Sequence, residues 1–283
     1  MVITSSGVMK RILCTVIVLC LLTSFSPKEI TWVAIGDSIT YLNDHPNETG
    51  NRVTKGYLTR VVEKLPNIHY INQGHNGWTS GRIAQEIEKI GLVKADVYSV
   101  FLGTNDWWQG RPPGSFNDYE NNTGNGTVYG SYRIIINKLK SLNPAAKIIL
   151  ITPMHRSDFV YIANHKNNAW GSYKNNKSGQ SLSQFAEAIR SIAKHEHFEL
   201  VDLYNKSKMT QKNLFNFKRL KDPKTGAYKN YRYPDFIDIL FTPGNDEYPY
   251  PPEAINMTYD GLHPSDKGCE VIAKMLVKVM KMY

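Results

Sequence analysis

Cysteine is scarce in this chain of 283 residues, which holds three: Cys14, Cys20 and Cys269. The first two fall within an amino-terminal apolar run, so Cys269 is left alone in the rest of the chain. No intrachain disulfide and no thiolate metal site can be built from one cysteine. A lone cysteine in an apolar-periodic segment reads as a small packed hydrophobe. Histidine is sparse too, and no two histidines stand at the four-residue spacing of the helical zinc hydrolases. His195 and His197, two apart at the end of a helical pattern, read as a solvated face. No metal and no other cofactor is therefore expected. Internal repeats, low-complexity tracts and nucleic-acid-reading motifs are also missing, which argues against solenoids and RNA or DNA partners.

What is present fits one globular domain. Hydrophobic residues make up 41% and charged residues 21%, enough apolar content to exclude wholesale disorder. The formal charge is +9, but Lys and Arg are scattered rather than massed. An attraction to acidic polysaccharide or membrane surfaces suits this better than nucleic-acid binding. Met9-Lys10-Arg11, the apolar run Ile12 to Leu22 and the small or polar Thr23-Ser24-Phe25-Ser26 have the layout of a secretory signal. The run falls short of the ~20 apolar residues that span a bilayer, so no stable membrane insertion is expected once it is removed. Leu19 before Cys20 does not suit a lipoprotein signal. The expected division is a signal over 1–26 and one domain over 27–283.

Five short apolar runs read as strands: Ile30–Ile35, Ile68–Asn72, Val97–Leu102, Lys147–Thr152 and Phe198–Leu203. Helical patterns lie between and after them, at Tyr57–Leu65, Ser80–Ile90, Tyr129–Leu142, Ser183–His195 and Ser265–Met282. Such alternation predicts an α/β fold with a parallel sheet covered by helices on both sides. Two stretches break it. Ala163–Ser181 reads as a mobile loop, and the tyrosine-rich, proline-punctuated Lys206–Thr258 reads as a long insertion, either a lid or packed decoration.

In parallel sheets the working residues sit beyond the carboxyl ends of strands. The first strand leads into Gly36-Asp37-Ser38-Ile39-Thr40, which by itself is also a plain turn with a helix cap. The Gly-x-Ser-x-Gly elbow of α/β-hydrolases is absent. The second strand ends in Asn72-Gln73-Gly74-His75-Asn76-Gly77, where either glycine allows a backbone N–H to approach a ligand unobstructed. The third ends in Gly103-Thr104-Asn105-Asp106. Before the last helix stands Asp260-Gly261-Leu262-His263-Pro264, a turn able to set a carboxylate beside one imidazole nitrogen and leave the other facing outward.

Gly-Asp-Ser, then a glycine, then Gly-x-Asn-Asp, then Asp-x-x-His-Pro, in that order, resembles the SGNH or GDSL-like hydrolase superfamily from about Ile30 to the carboxyl terminus. The resemblance implies a flavodoxin-like three-layer α/β/α sandwich with a five-stranded parallel sheet. It implies Ser38 as nucleophile, His263 as general base and then acid, and Asp260 as the group that orients the imidazole. The oxyanion would be held by the backbone N–H of Ser38, that of Gly77 and the side-chain amide of Asn105. Gly77 is preferred over Gly74 because the family pattern sets its glycine five residues after the strand-end Asn72. Ile39 stands where many members carry leucine, and the insertion lies outside the minimal pattern.

The activity implied is a secreted or periplasmic serine esterase that releases small acyl groups, acetyl above all, from a saccharide or another small-molecule ester. Trp107 and Trp108 follow Asp106 directly and are expected near the mouth of the site, where one or both stack on a sugar ring or pack beneath the loop. A lysophospholipase or thioesterase would use the same parts. A sugar-binding relative without catalysis would have no need of Ser38, Asp260 and His263 together.

Overall fold

The computed structural model describes residues 28–283, so the expected signal segment, with Cys14 and Cys20, lies outside the described residues. In chain order the elements are β1 (Ile30–Gly36), α1 (Ser38–Tyr41), α2 (Tyr57–Lys64), β2 (Ile68–Gly74), α3 (Ser80–Glu86), β3 (Val97–Phe101), α4 (Thr104–Trp108), α5 (Phe116–Glu120), α6 (Val128–Leu142), β4 (Lys147–Ile151), β5 (Phe159–Val160), β6 (Asn168–Ala169), α7 (Leu182–Glu196), β7 (Glu199–Val201), α8 (Leu203–Lys206), β8 (Lys218–Lys221), β9 (Tyr228–Tyr231) and α9 (Asp266–Met280). Five of the strands form one parallel sheet in the order β2-β1-β3-β4-β7, the doubly wound arrangement of flavodoxin-like folds.

The inner strands β1, β3 and β4 are apolar on both faces because both faces are covered, whereas the edge strand β2 exposes His69 and Ile71. Trp32 and Ala34 of β1 and Ile149 and Ile151 of β4 face α2 and α9, through Leu58, Val61, Ile272 and Leu276. Val33, Ile35, Tyr98, Val100 and Leu150 face the other way, onto Ile83 of α3, Ile135 and Leu139 of α6 and Phe185 and Ile189 of α7. The only polar atoms Trp32 and Ser99 bring into this interior satisfy each other, indole N–H to Oγ at 2.9 Å. Helix starts follow the local chemistry: Thr79, Thr127 and Ser265 each accept an N–H three residues on, and Ser181 forms a capping box with Gln184. Cys269 is buried on α9, where desolvation pushes its thiol up to about 12, so it packs as the expected small hydrophobe.

Differences from the sequence reading are local. The fifth strand stops at Val201 because Asp202 turns inward and accepts the N–H of Asn205, starting α8. Segment 163–181, expected as a mobile loop, is tied down: β6 pairs antiparallel with β5, and the buried Asn176 donates to Gln180 Oε1 and to the carbonyl of Trp107. The insertion over 206–258 is packed decoration. It carries the β8–β9 hairpin and drives Phe215, Phe236 and Tyr250 into the core on the α2/α9 side.

Phe236 anchors that packing, its ring 5.3 Å from Phe215 and 6.0 Å from Tyr173. Phe236→Ala should lower the unfolding free energy by about 3–5 kcal/mol, the usual cost of an aromatic-sized cavity, measured by urea denaturation. A loss below ~1 kcal/mol would mean that the insertion is not part of the core.

Candidate active site

β1, β2, β3 and β4 all point their carboxyl ends at one rim of the sheet, and the expected loops gather there. Asp37, directly after β1, is the N-cap of α1: its carboxylate accepts the Ile39 N–H at 3.0 Å. That cap aims Ser38, the first residue of the helix, over the rim. β2 runs close beside it. A Cβ on Gly74 would sit 2.1 Å from the Tyr41 backbone nitrogen, so only glycine lets this strand pass under α1. Three residues on, Gly77 takes φ +73 with open space around it, so here glycine is required by the backbone and not by crowding.

The turn before α9 brings the other partners from the far end of the chain. Asp260 is fully buried. Its Oδ1 accepts the N–H groups of Leu262 (3.0 Å) and His263 (2.7 Å), and its Oδ2 lies 2.6 Å from His263 Nδ1. His263 Nε2 lies 2.8 Å from Ser38 Oγ. Phe159 meets the imidazole edge-on at 5.4 Å and Tyr259 stacks at 5.9 Å, which fixes its plane. Serine, imidazole and carboxylate thus stand in an unbroken hydrogen-bonded chain, the arrangement that raises a hydroxyl to a nucleophile.

Asn105 sits in the first turn of α4, its side-chain amide donating to the Trp78 carbonyl at 3.0 Å. An amide nitrogen carries two hydrogens, so this bond orients the group and leaves one donor free. The backbone N–H groups of Ser38 and Gly77 have no protein acceptor among the described residues. Ser38, Gly77, Asn105 and His263 all line one cavity of about 400 Å³, together with Trp108, Arg156, Phe159, Asn167 and Tyr259. Trp107 does not line it. Its ring is fully buried under the loop and its indole N–H is spent on the Gln180 carbonyl at 2.9 Å, so of the two expected tryptophans Trp108 alone lines the cavity.

Two contributors escaped the sequence reading. Asp106 belongs to the Gly-x-Asn-Asp block but had no role assigned; buried at the start of α4, it accepts both the N–H and the Oγ–H of Ser80, at 2.9 and 2.7 Å. It therefore ties the loop carrying Gly77 to the helix carrying Asn105. Burial raises its carboxyl, against the pull of Ser80 and Arg111. Arg156 lies in the loop after β4, the one carboxyl-end loop in which no chemistry had been sought, although the rim rule applies there equally.

The fold and this rim define an α/β ester hydrolase of the flavodoxin-like type. The chain belongs to the GDSL-like lipase/acylhydrolase family, whose model matches residues 34–271. It is 64% identical to a solved structure described as a possible lipase from Chitinophaga pinensis DSM 2588, over 90% of this chain and 98% of that one, with a TM-score of 0.88. More distant structures share the fold: a protein from Lactobacillus plantarum (20% identity, 90% and 98% covered, TM-score 0.61) and an acetyl xylan esterase (20% identity, 89% and 100% covered, TM-score 0.51). Among curated proteins none matches.

Asp37 carries a pH signature. Burial raises its carboxyl from 3.8 to about 6; the Ile39 N–H, His263 and Arg156 pull it back down, and Asp106 adds to the rise. The folded protein therefore holds this proton more tightly than the unfolded chain does. Stability is unaffected below pH ~4, falls as pH rises from ~4 to ~6, and is then level, about 3 kcal/mol lower than with an unperturbed group. Asp37→Asn keeps the capping oxygen and removes the charge. Urea midpoints should match the parent's at pH 4 and exceed them at pH 8; equal midpoints at both would show that the carboxylate is not penalised.

Proposed function

We propose that this protein is a secreted serine esterase that releases small acyl groups, acetyl foremost, from saccharide esters. The observation that carries the reading is the chain Asp260–His263–Ser38, with contacts of 2.6 and 2.8 Å, opening into a cavity that Gly77 and Asn105 also line. In this reading His263 takes the Ser38 proton as Oγ attacks the ester carbonyl. Asp260 holds the imidazole in the required tautomer and stabilises the imidazolium. Charge then develops on the carbonyl oxygen and is met by the Ser38 and Gly77 N–H groups and the free Asn105 donor. The imidazolium protonates the leaving sugar oxygen, and water, activated by the same base, frees the acid. The short amino-terminal apolar run supports export, and no helix among the described residues is long and apolar enough to cross a membrane.

Trp108 supports a saccharide, since an aromatic face at the cavity wall stacks on the C–H face of a sugar ring. Asn76, Gln109 and Asn167 add hydrogen-bonding groups to the same wall. The lipase description of the 64% identical relative supports a second reading, an esterase for longer acyl chains. Turnover of acetyl against long-chain nitrophenyl esters separates them, and faster cleavage of the long chain would reverse our preference.

Ser38→Ala should abolish ester hydrolysis and fluorophosphonate labelling while leaving the denaturation curve unchanged; near-normal turnover by the folded variant would discard the mechanism. Asn105→Ala should reduce kcat about 10²–10³-fold with KM little changed, because its donor acts on the transition state. A change confined to KM would move Asn105 from the oxyanion to ground-state binding.

A further inference from the structure

Arg156 is the residue of the cavity that neither the fold nor the hydrolytic chain accounts for. It is 1% exposed, yet it lines the cavity together with Ser38, Asn105 and His263. Among the described residues its Nε and Nη2 have no hydrogen-bond partner. Its bonds to Ser172 and Gln211 are made by its backbone, which anchors the loop and does not serve these two nitrogens. A buried cation without hydrogen-bond acceptors is costly, by several kcal/mol in the general case.

The neighbouring acids do not resolve this. Asp260, Asp158 and Asp37 all favour the charged guanidinium, but each is engaged elsewhere. Asp260 serves His263 and its own turn. Asp158 is paired with Lys218 at 2.5 Å and bonded by Tyr173 at 2.6 Å. Asp37 caps α1. Desolvation lowers the guanidinium only to about 10, so it is a cation at any physiological pH. Trp107 and Trp108 flank it at 5.6 and 5.5 Å, which helps hold the charge but offers no acceptor.

A planar fork of N–H donors in a dry wall is the group that recognises a carboxylate bidentately. We propose that Arg156 is a specificity determinant that binds the carboxylate of the substrate, so that the ester is carried by an acidic sugar, an O-acylated sugar acid. The inference rests on the esterase reading of Ser38 and narrows its substrate class. The surroundings continue the same chemistry outward. Trp170 meets Trp108 edge-on at 4.6 Å, and Lys174 and Lys177 lie over Trp170 at 5.1 and 5.7 Å. A cationic, aromatic strip therefore leads away from Arg156 in a chain whose net charge is +9. An acidic glycan would follow it.

The test compares a mono-O-acetylated methyl glucuronoside with the matching acetylated methyl glucoside, which has a hydroxymethyl group in place of the carboxylate. Binding is read by calorimetry on the Ser38→Ala protein, where no turnover can interfere. The acid should bind about 10- to 100-fold more tightly than the neutral sugar, the worth of a charge-assisted bidentate pair. Arg156→Gln in the same background should bring the ratio close to one, and Arg156→Lys should restore part of it. Equal binding of both sugars by the Ser38→Ala protein would overturn the proposal even if Arg156→Gln fails to fold. So would an Arg156→Gln variant that weakens both sugars equally, since that is the behaviour of a counter-charge for the buried acids. Turnover on the parent protein is a separate readout. Carboxylate-selective binding without hydrolysis or fluorophosphonate labelling would refute the esterase reading and leave the anion site standing.

Discussion

The Asp260 carboxylate has no water to fall back on. It is fully buried, and three donors meet its two oxygens: two backbone N–H groups of its own turn and the Nδ1 side of His263. A buried charge is tolerated only under such full satisfaction, so the turn 260–264 has little freedom to adopt another shape. Because that turn is rigid, His263 is delivered within 2.8 Å of a serine 225 residues away. The turn is held in the body of the protein as well: Gly261 accepts the Ser157 N–H, and α9 begins at once from the Ser265 cap. One electrostatic requirement thus couples the last helix, the loop after β4 and the start of the chain.

The rim is costly in other ways. Asp37, Asp106 and Arg156, in loops that follow strands, and Asp260 and His263, in the turn before α9, are all buried. Asp106 is compensated by Ser80, and Asp260 by its turn. Asp37 is compensated only in part, since a single backbone N–H meets a carboxylate that burial has raised to about 6. Arg156 has the least compensation. Natural proteins concentrate such conflicts at functional sites, where a substrate completes what the fold leaves unfinished. Under the proposed function that pattern gives Arg156 and the proposed oxyanion donors a common logic: both would be donors in a dry wall that meet charge, one from the resting substrate and the other from the transition state.

Much of this was legible in the amino-acid order. The inner strands of the sheet are nearly continuous apolar runs, and parallel strands buried on both faces have that appearance. Ser38, Asp260 and His263 stand in turns that are each ambiguous alone; the order of the four blocks, through the resemblance to GDSL-like hydrolases, is what joined a serine to a histidine 225 residues away. Strand and helix ends were less legible. Whether Thr152 or Asp202 extends a strand depends on a side-chain bond between them at 3.3 Å across two loops. The segment 163–181 is polar and glycine-rich, and its anchoring comes from Asn176 reaching the Trp107 carbonyl, a contact no local pattern announces.

By itself the sequence determined the α/β class, the parallel sheet and the four loops that meet at the rim, because hydrophobic period and turn chemistry act over a few residues. Tertiary structure decided which of two adjacent tryptophans faces the cavity. Trp107 and Trp108 lie on a five-residue helix with ring centroids 6.2 Å apart, and packing against Gln180 claims the first. It also decided that the insertion 206–258 packs into the core, and that Arg156 lies on the cavity of Ser38 and His263 with its Nε and Nη2 unpartnered among the described residues. These outcomes depend on the summed positions of segments far apart in the chain. An arginine's identity is written in the sequence; how many acceptors surround it is a property of the fold.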